Sequence, residues 1–235
     1  MNKVTRTLAL CGAAVLAGVS VVSAVDAQVA FGPVLNKPTA ALAAFDRAFR
    51  AVRDYTTTDV VFEQLNDFSR VELRTYAYKV LAPHAALAAI VAGPGQGAVA
   101  TWNGGDTVRA HPGGALAPIK LALAIDDPRV QSLRGDTIDT GTFTYDLQYM
   151  LATPGELADS PGPTIAGVST TAVTLKVKDP AVAAVTKVEL DLSATSHLPV
   201  RRQLYVGSTV MKTETFTDTK LNVGLNPHDF DGPAT

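Results

Sequence analysis

The chain has 235 residues, 47% of them hydrophobic and 6% aromatic, with 20 basic and 22 acidic side chains for a net charge of −2. That balance lacks the clustered positive excess that nucleic acid or an anionic membrane surface would require. Aliphatic residues are too abundant for a disordered chain, and the scarcity of aromatics points to a β scaffold of modest core volume.

Lys3 and Arg6 precede an almost uncharged apolar run from Leu8 to Val25, and Val25-Asp26-Ala27 offers a small-residue cleavage site before Gln28. A membrane anchor is the competing reading, but Gly12, Gly18, Ser20 and Ser23 dilute the run relative to the roughly 20 apolar residues of a spanning helix. Cys11 follows Leu10 rather than a small residue, which argues against a lipid-modified start. The pattern predicts a signal peptide over residues 1–27 and a single domain over 28–235, periplasmic or secreted, with no integral membrane segment after processing. Loss of Lys3, Arg6 and Asp26 with the leader moves the net charge from −2 to −3 and removes the lone cysteine. Such a chain folds without a disulfide and depends on a buried core.

After a Pro- and Gly-containing stretch to Pro38, Leu42, Phe45, Phe49 and Val52 recur at helical spacing, so Ala41 to Asp54 is expected to be an amphipathic helix with Thr39 as N-cap. From Tyr55 the period shortens toward two. Tyr55 to Leu65 and Arg70 to Leu81 read as a hairpin turning at Asn66-Asp67, followed by strands at Leu87 to Ala92, Gly97 to Trp102 and Thr107 to His111. Ile138, Phe143, Leu147, Met150 and Leu151 predict a second helix over Thr137 to Ala152, ended by Pro154-Gly155. Pro154, Gly155, Pro161, Gly162 and Pro163 then predict a loop.

Alternation is clearest in the last third. Val173, Leu175 and Val177, and then Val188, Leu190 and Leu192, interleave with polar residues, and Leu198 to Val206 joins Thr209 to Asn222 through Gly207-Ser208. Strands with one apolar face and two apolar-faced helices imply a mainly β, α+β fold in which the helices pack across the concave side of an antiparallel sheet.

Two stretches carry a family resemblance. Leu198-Pro199-Val200-Arg201-Arg202, Gly207 and Phe216 to Leu225, ending at Asp229-Phe230, resemble the closing hairpin of the LolA-type carriers of outer-membrane lipoproteins. Lys79 to Leu151, with Gly93-Pro94-Gly95-Gln96-Gly97 and the Trp102-Asn103-Gly104-Gly105-Asp106 turn, is similar to secreted bacterial proteins related to those carriers. The resemblance implies an unclosed half-barrel sheet, lidded by helices, around an apolar cavity for acyl chains. It also implies an arginine in a basic-residue-then-proline motif that holds the lid; Lys79 and Pro83 occupy that region here, and no arginine aligns.

A cavity of that kind would be lined by Phe45, Phe49, Phe143, Leu147 and Met150 on the helices and Val188, Leu190 and Leu192 on the sheet, with Trp102 at its mouth. The competing reading is that these side chains form a filled core and that Trp102 packs locally. His84, His111, His197 and His228 are scattered, Asp126-Asp127 has no histidine or further carboxylate close by, and His228-Asp229 with Asp231 looks slightly more like a ligand cluster but is explained as well by a polar exposed tail. No Gly-x-Ser-x-Gly elbow, Ser-x-x-Lys or phosphate-binding loop occurs, so a non-catalytic protein without a cofactor is expected. The expected ligand is a lipid or an acylated lipoprotein. The alternative is an envelope-stress sensor or regulatory module acting through a protein partner.

Overall fold

The structure, a computed structural model, describes residues 33–180 and 184–232; the leader over 1–27 lies outside them. Helix α1 spans Ala40–Phe49, and its N-cap Thr39 accepts a hydrogen bond from the Leu42 amide at 3.3 Å. The expected continuation to Asp54 is overturned: Val52 is already outside the helix and Asp54 opens the first strand. That strand, β1 (Asp54–Gln64), is followed by β2 (Val71–Leu81), β3 (Ala85–Ala92), β4 (Val99–Trp102), β5 (Thr107–His111) and β6 (Leu121–Ala124). A 3-10 turn at Ile138–Gly141 and helix α2 (Phe143–Ala152) lead to β7 (Gly155–Pro161), β8 (Thr170–Val177), β9 (Lys187–Ser193), β10 (Pro199–Val206) and β11 (Thr209–Leu221). Among the described residues no helix is long and apolar enough to cross a membrane.

The second helix therefore starts at Phe143 rather than Thr137, because Thr142 caps it by accepting from the Tyr145 amide at 3.2 Å. Two strands were not expected. The four-residue β6, Leu-Ala-Leu-Ala, has no strand-forming composition of its own. The expected loop at Pro154 to Pro163 contains β7, which tolerates its terminal Pro161 because it is an edge strand bonded on one side only. Gly155 is needed there, since a Cβ would collide with the Lys176 carbonyl oxygen.

The strands form one antiparallel sheet in the order β6-β5-β4-β3-β2-β1-β11-β10-β9-β8-β7, and it does not close. The chain starts in the middle, meanders out to one edge at β6, crosses to the other edge at β7, and meanders back to pair β11 with β1. Residues 125–154 must make that crossing, and they run over the concave face, carrying α2 with them. A lid over an unclosed sheet is thus a product of the connectivity. An unclosed antiparallel sheet with helices packed against one face is the mainly β arrangement that was expected.

Candidate functional site

The inward-facing residues of the sheet divide into three bands. The first is solid. Leu42, Phe45, Phe143 and Met150 of the two helices are fully buried against Tyr55, Leu175, Val188, Leu190 and Leu192 of the sheet. Phe143 stacks on Tyr55 with ring centroids 4.5 Å apart, meets Phe216 edge-on at 5.2 Å, and donates its amide N–H to the Tyr55 hydroxyl at 2.9 Å. Helix α2 is thereby anchored at its first turn to β1.

All nine side chains predicted to line a ligand site converge here. Phe45, Trp102, Phe143, Met150, Val188, Leu190 and Leu192 are buried in the same core cluster, and Phe49 and Leu147 pack against it. Trp102 donates its indole N–H to the Gly105 carbonyl at 2.6 Å, closing its own turn. None of the nine is in the wall of the cavity described next.

The second band is hollow. Between β1–β6 and the first half of the crossing segment lies a cavity of about 540 Å³. Its apolar wall includes Ala88 and Ile90 of β3, Ala100 of β4 and Ala110 of β5, faced by Val130 and Ile138 from the crossing segment. The emptiness has a simple cause. Layers packed on a sheet stand about 10 Å from it, and the gap must be filled by side chains. Alanines on the strands meet a covering stretch, residues 126–136, that is mostly Asp, Arg, Pro, Gln, Ser and Gly, so neither side reaches across. Gly141 lets this segment approach closely, since a Cβ there would collide with the Tyr78 hydroxyl. Sequence reasoning missed this site because it searched for large apolar residues. The available signal was the opposite one, alanine at inward positions of three successive strands.

The third band is charged and lies between the other two. Lys212 of β11 pairs with Asp136 at 2.6 Å, Glu214 at 2.9 Å and Glu63 at 3.6 Å, and Arg202 of β10 pairs with Asp146 of α2 at 2.7 Å and with Glu214. Glu63 also accepts from the Ser132 hydroxyl at 2.8 Å and the Leu133 amide at 3.0 Å, while Arg134 donates to the Gln64 carbonyl at 2.7 Å. These bonds tie the cover of the cavity to β1 and β11. Burial would raise the Asp136 carboxyl, but Lys212 and Arg202 outweigh it and hold it below the usual carboxylate range. On Asp146 burial outweighs Arg202 and lifts the carboxyl to about 6.

Asp59 of β1 behaves differently. It is 1% exposed, belongs to the cavity wall, and its Oδ1 has no hydrogen-bond partner. Burial, then the charge of Glu214, push its carboxyl well above the usual range, against the opposing pull of Lys212 and Arg202. Arg74, also in the wall, pairs with Glu72 at 2.5 Å and donates to the Tyr76 hydroxyl at 3.3 Å, and its Nε likewise has no partner. Of the scattered histidines, His111 lies in the cavity wall, and His228 pairs with Asp231 at 2.8 Å on the surface.

No family model matches the chain, and no curated protein is similar to it in sequence. Solved structures do align with it. An uncharacterized conserved protein from Thermus thermophilus superposes with a TM-score of 0.53 at 9% identity, over 84% of this chain and 96% of that one. The lipoprotein LppX of Mycobacterium tuberculosis gives 0.49 at 18% identity over 80% and 97% of the two chains. A LolA superfamily protein of Nitrosomonas europaea gives 0.41 at 14% identity over 82% and 98%. At such identities the likeness is one of fold.

Proposed function

We propose that this protein is a non-catalytic carrier of the cell envelope that holds an acyl chain, of a lipid or of a lipoprotein, in the cavity beneath the crossing segment. The observation that carries this reading is the cavity itself: about 540 Å³, within the roughly 300–1,000 Å³ typical of small-molecule sites, with an aliphatic wall over much of its extent. Each methylene taken from water into such a wall contributes about 0.8 kcal/mol, so a single chain supplies useful affinity with no chemistry. The signal-like leader supports the envelope location, and the unclosed sheet leaves an edge of the cover that can lift.

The test is native mass spectrometry of the processed protein purified from its own cell envelope, followed by organic extraction of whatever is bound. A stoichiometric acylated ligand is expected. A clean apo mass with no uptake of added lipid would sink the carrier reading. The second reading, a regulatory module that binds an envelope protein, draws on exposed Phe68, Val71 and Leu73 at the β1–β2 tip. It predicts that Leu73→Glu abolishes a stable protein complex and leaves lipid uptake unchanged.

A further inference from the structure

Buried polar groups in folded proteins nearly always have partners, and those without one call for a cause. Two such atoms, Asp59 Oδ1 and Arg74 Nε, belong to wall residues of the same cavity. Their strands are adjacent: Asp59 pairs with Tyr76 and Val61 with Arg74, so Asp59 and Arg74 are diagonal neighbours on the inward face, with the Tyr76 hydroxyl bonded to Arg74. An aliphatic wall of Ala88, Ala100 and Ala110 lies on the β3–β5 side of the same space. The cavity is therefore amphipathic, apolar toward one edge of the sheet and polar toward its centre.

Resting on the carrier reading, we propose that the cavity recognises the head of its ligand as well as its tail, and that the ligand is a single-chain amphiphile with a free carboxylate, of the long-chain fatty-acid type, whose head lies between Arg74 and Asp59. The chemistry is complementary. An arginine Nε–H can only donate, and burial together with the adjacent Glu214 favours the protonated form of Asp59, whose O–H is a donor as well. The two stand as diagonal neighbours on one face of the sheet, and a carboxylate offers two acceptor oxygens. Charge agrees: Arg70, Arg74, Arg129 and Lys212 contribute to the wall against Asp59, Asp136 and Glu214, while Glu72, which pairs with Arg70 and Arg74, and Asp127, which pairs with Arg129, are outside it. An ester head, lacking the charge, would leave the arginine contact weaker.

The experiment is calorimetric titration of the full chain, delipidated, with palmitate and with methyl palmitate delivered from cyclodextrin. Palmitate is expected to bind about tenfold more tightly or better, since hydrogen bonds to charged groups exceed neutral ones by that order. In Arg74→Met the palmitate affinity is expected to fall to that of the ester, with the ester retained within about twofold, which shows that the variant is folded and its cavity intact. Equal binding of acid and ester by the wild-type chain, or an unchanged preference in Arg74→Met, overturns the head site and leaves the carrier standing. Binding of neither ligand by the wild-type chain sinks both. Should Arg74→Met fail to fold, Arg74→Gln takes its place with the same two outcomes.

Discussion

Ala86 and Ala88 stand two residues apart on β3 and point to the same face of the sheet, yet they meet different surroundings. Both belong to the core cluster, but Ala86 is fully buried there, whereas Ala88 also forms part of the cavity wall. The same contrast, on a larger scale, divides the whole sheet. Where α1 and α2 supply Phe45, Phe49 and Phe143, the gap above the sheet is closed by three rings; where residues 126–136 supply short and polar side chains, it stays open. One sheet thus carries a packed half and a hollow half, with the Lys212 and Arg202 ion pairs at the seam.

The sharpest way to break the comparison is in the solid half. Phe143→Ala removes a ring stacked on Tyr55 and packed on Phe216, and is expected to lower unfolding free energy by about 3–5 kcal/mol in urea denaturation. A loss under about 1 kcal/mol would mean that this half is not the closely packed one. The two alanines test the boundary itself. Ala86→Phe overfills a packed site and should cost about 1–3 kcal/mol, whereas Ala88→Phe should cost less and instead abolish lipid uptake, as read by native mass spectrometry. Equal costs for the two would contradict the hollow.

The charged seam gives a pH signature. Because the Asp59 carboxyl is raised in the folded protein, its contribution to stability is complete below the ordinary carboxylate value of about 4 and is lost as pH rises toward the folded value. Asp59→Asn does not titrate. It should exceed the wild-type chain in stability at pH 8 and lose that advantage near pH 4, in thermal melts across pH. Glu214, Lys212, Arg202 and Asp146 act on this carboxyl, and all remain in the variant. The smallest expected effect is at the cover. In Asp136→Ala, Lys212 keeps Glu214 and Glu63 as partners, so stability should fall by only about 1 kcal/mol, while exchange of a bound fluorescent fatty acid should quicken. An unchanged exchange rate would show that the cover does not gate the cavity.

Most of the strand boundaries were legible in the sequence, because alternation such as Val188, Leu190 and Leu192 has one physical meaning when one face is buried. The β1–β2 and β10–β11 hairpins fell close to their expected positions for the same reason. Edge strand β7 was hidden by prolines and glycines that a one-sided pairing accommodates, and β6 by a composition without strand preference. The candidate site was legible in part. The nine large side chains that were singled out do come together, as a packed cluster, and the cavity opens over alanines of β3–β5 that are too small to draw notice.

What the sequence determined by itself was local: periodicity set which residues turn inward, and Thr39 set where the first helix begins. Only the tertiary structure decided which inward residues meet a partner. Periodicity reports that a side chain leaves water's side of a strand, but not how far away the opposite layer stands or what it carries. The crossing from β6 to β7 brings aromatic rings over one half of the sheet and short polar residues over the other, and that pairing of distant segments separates core from cavity.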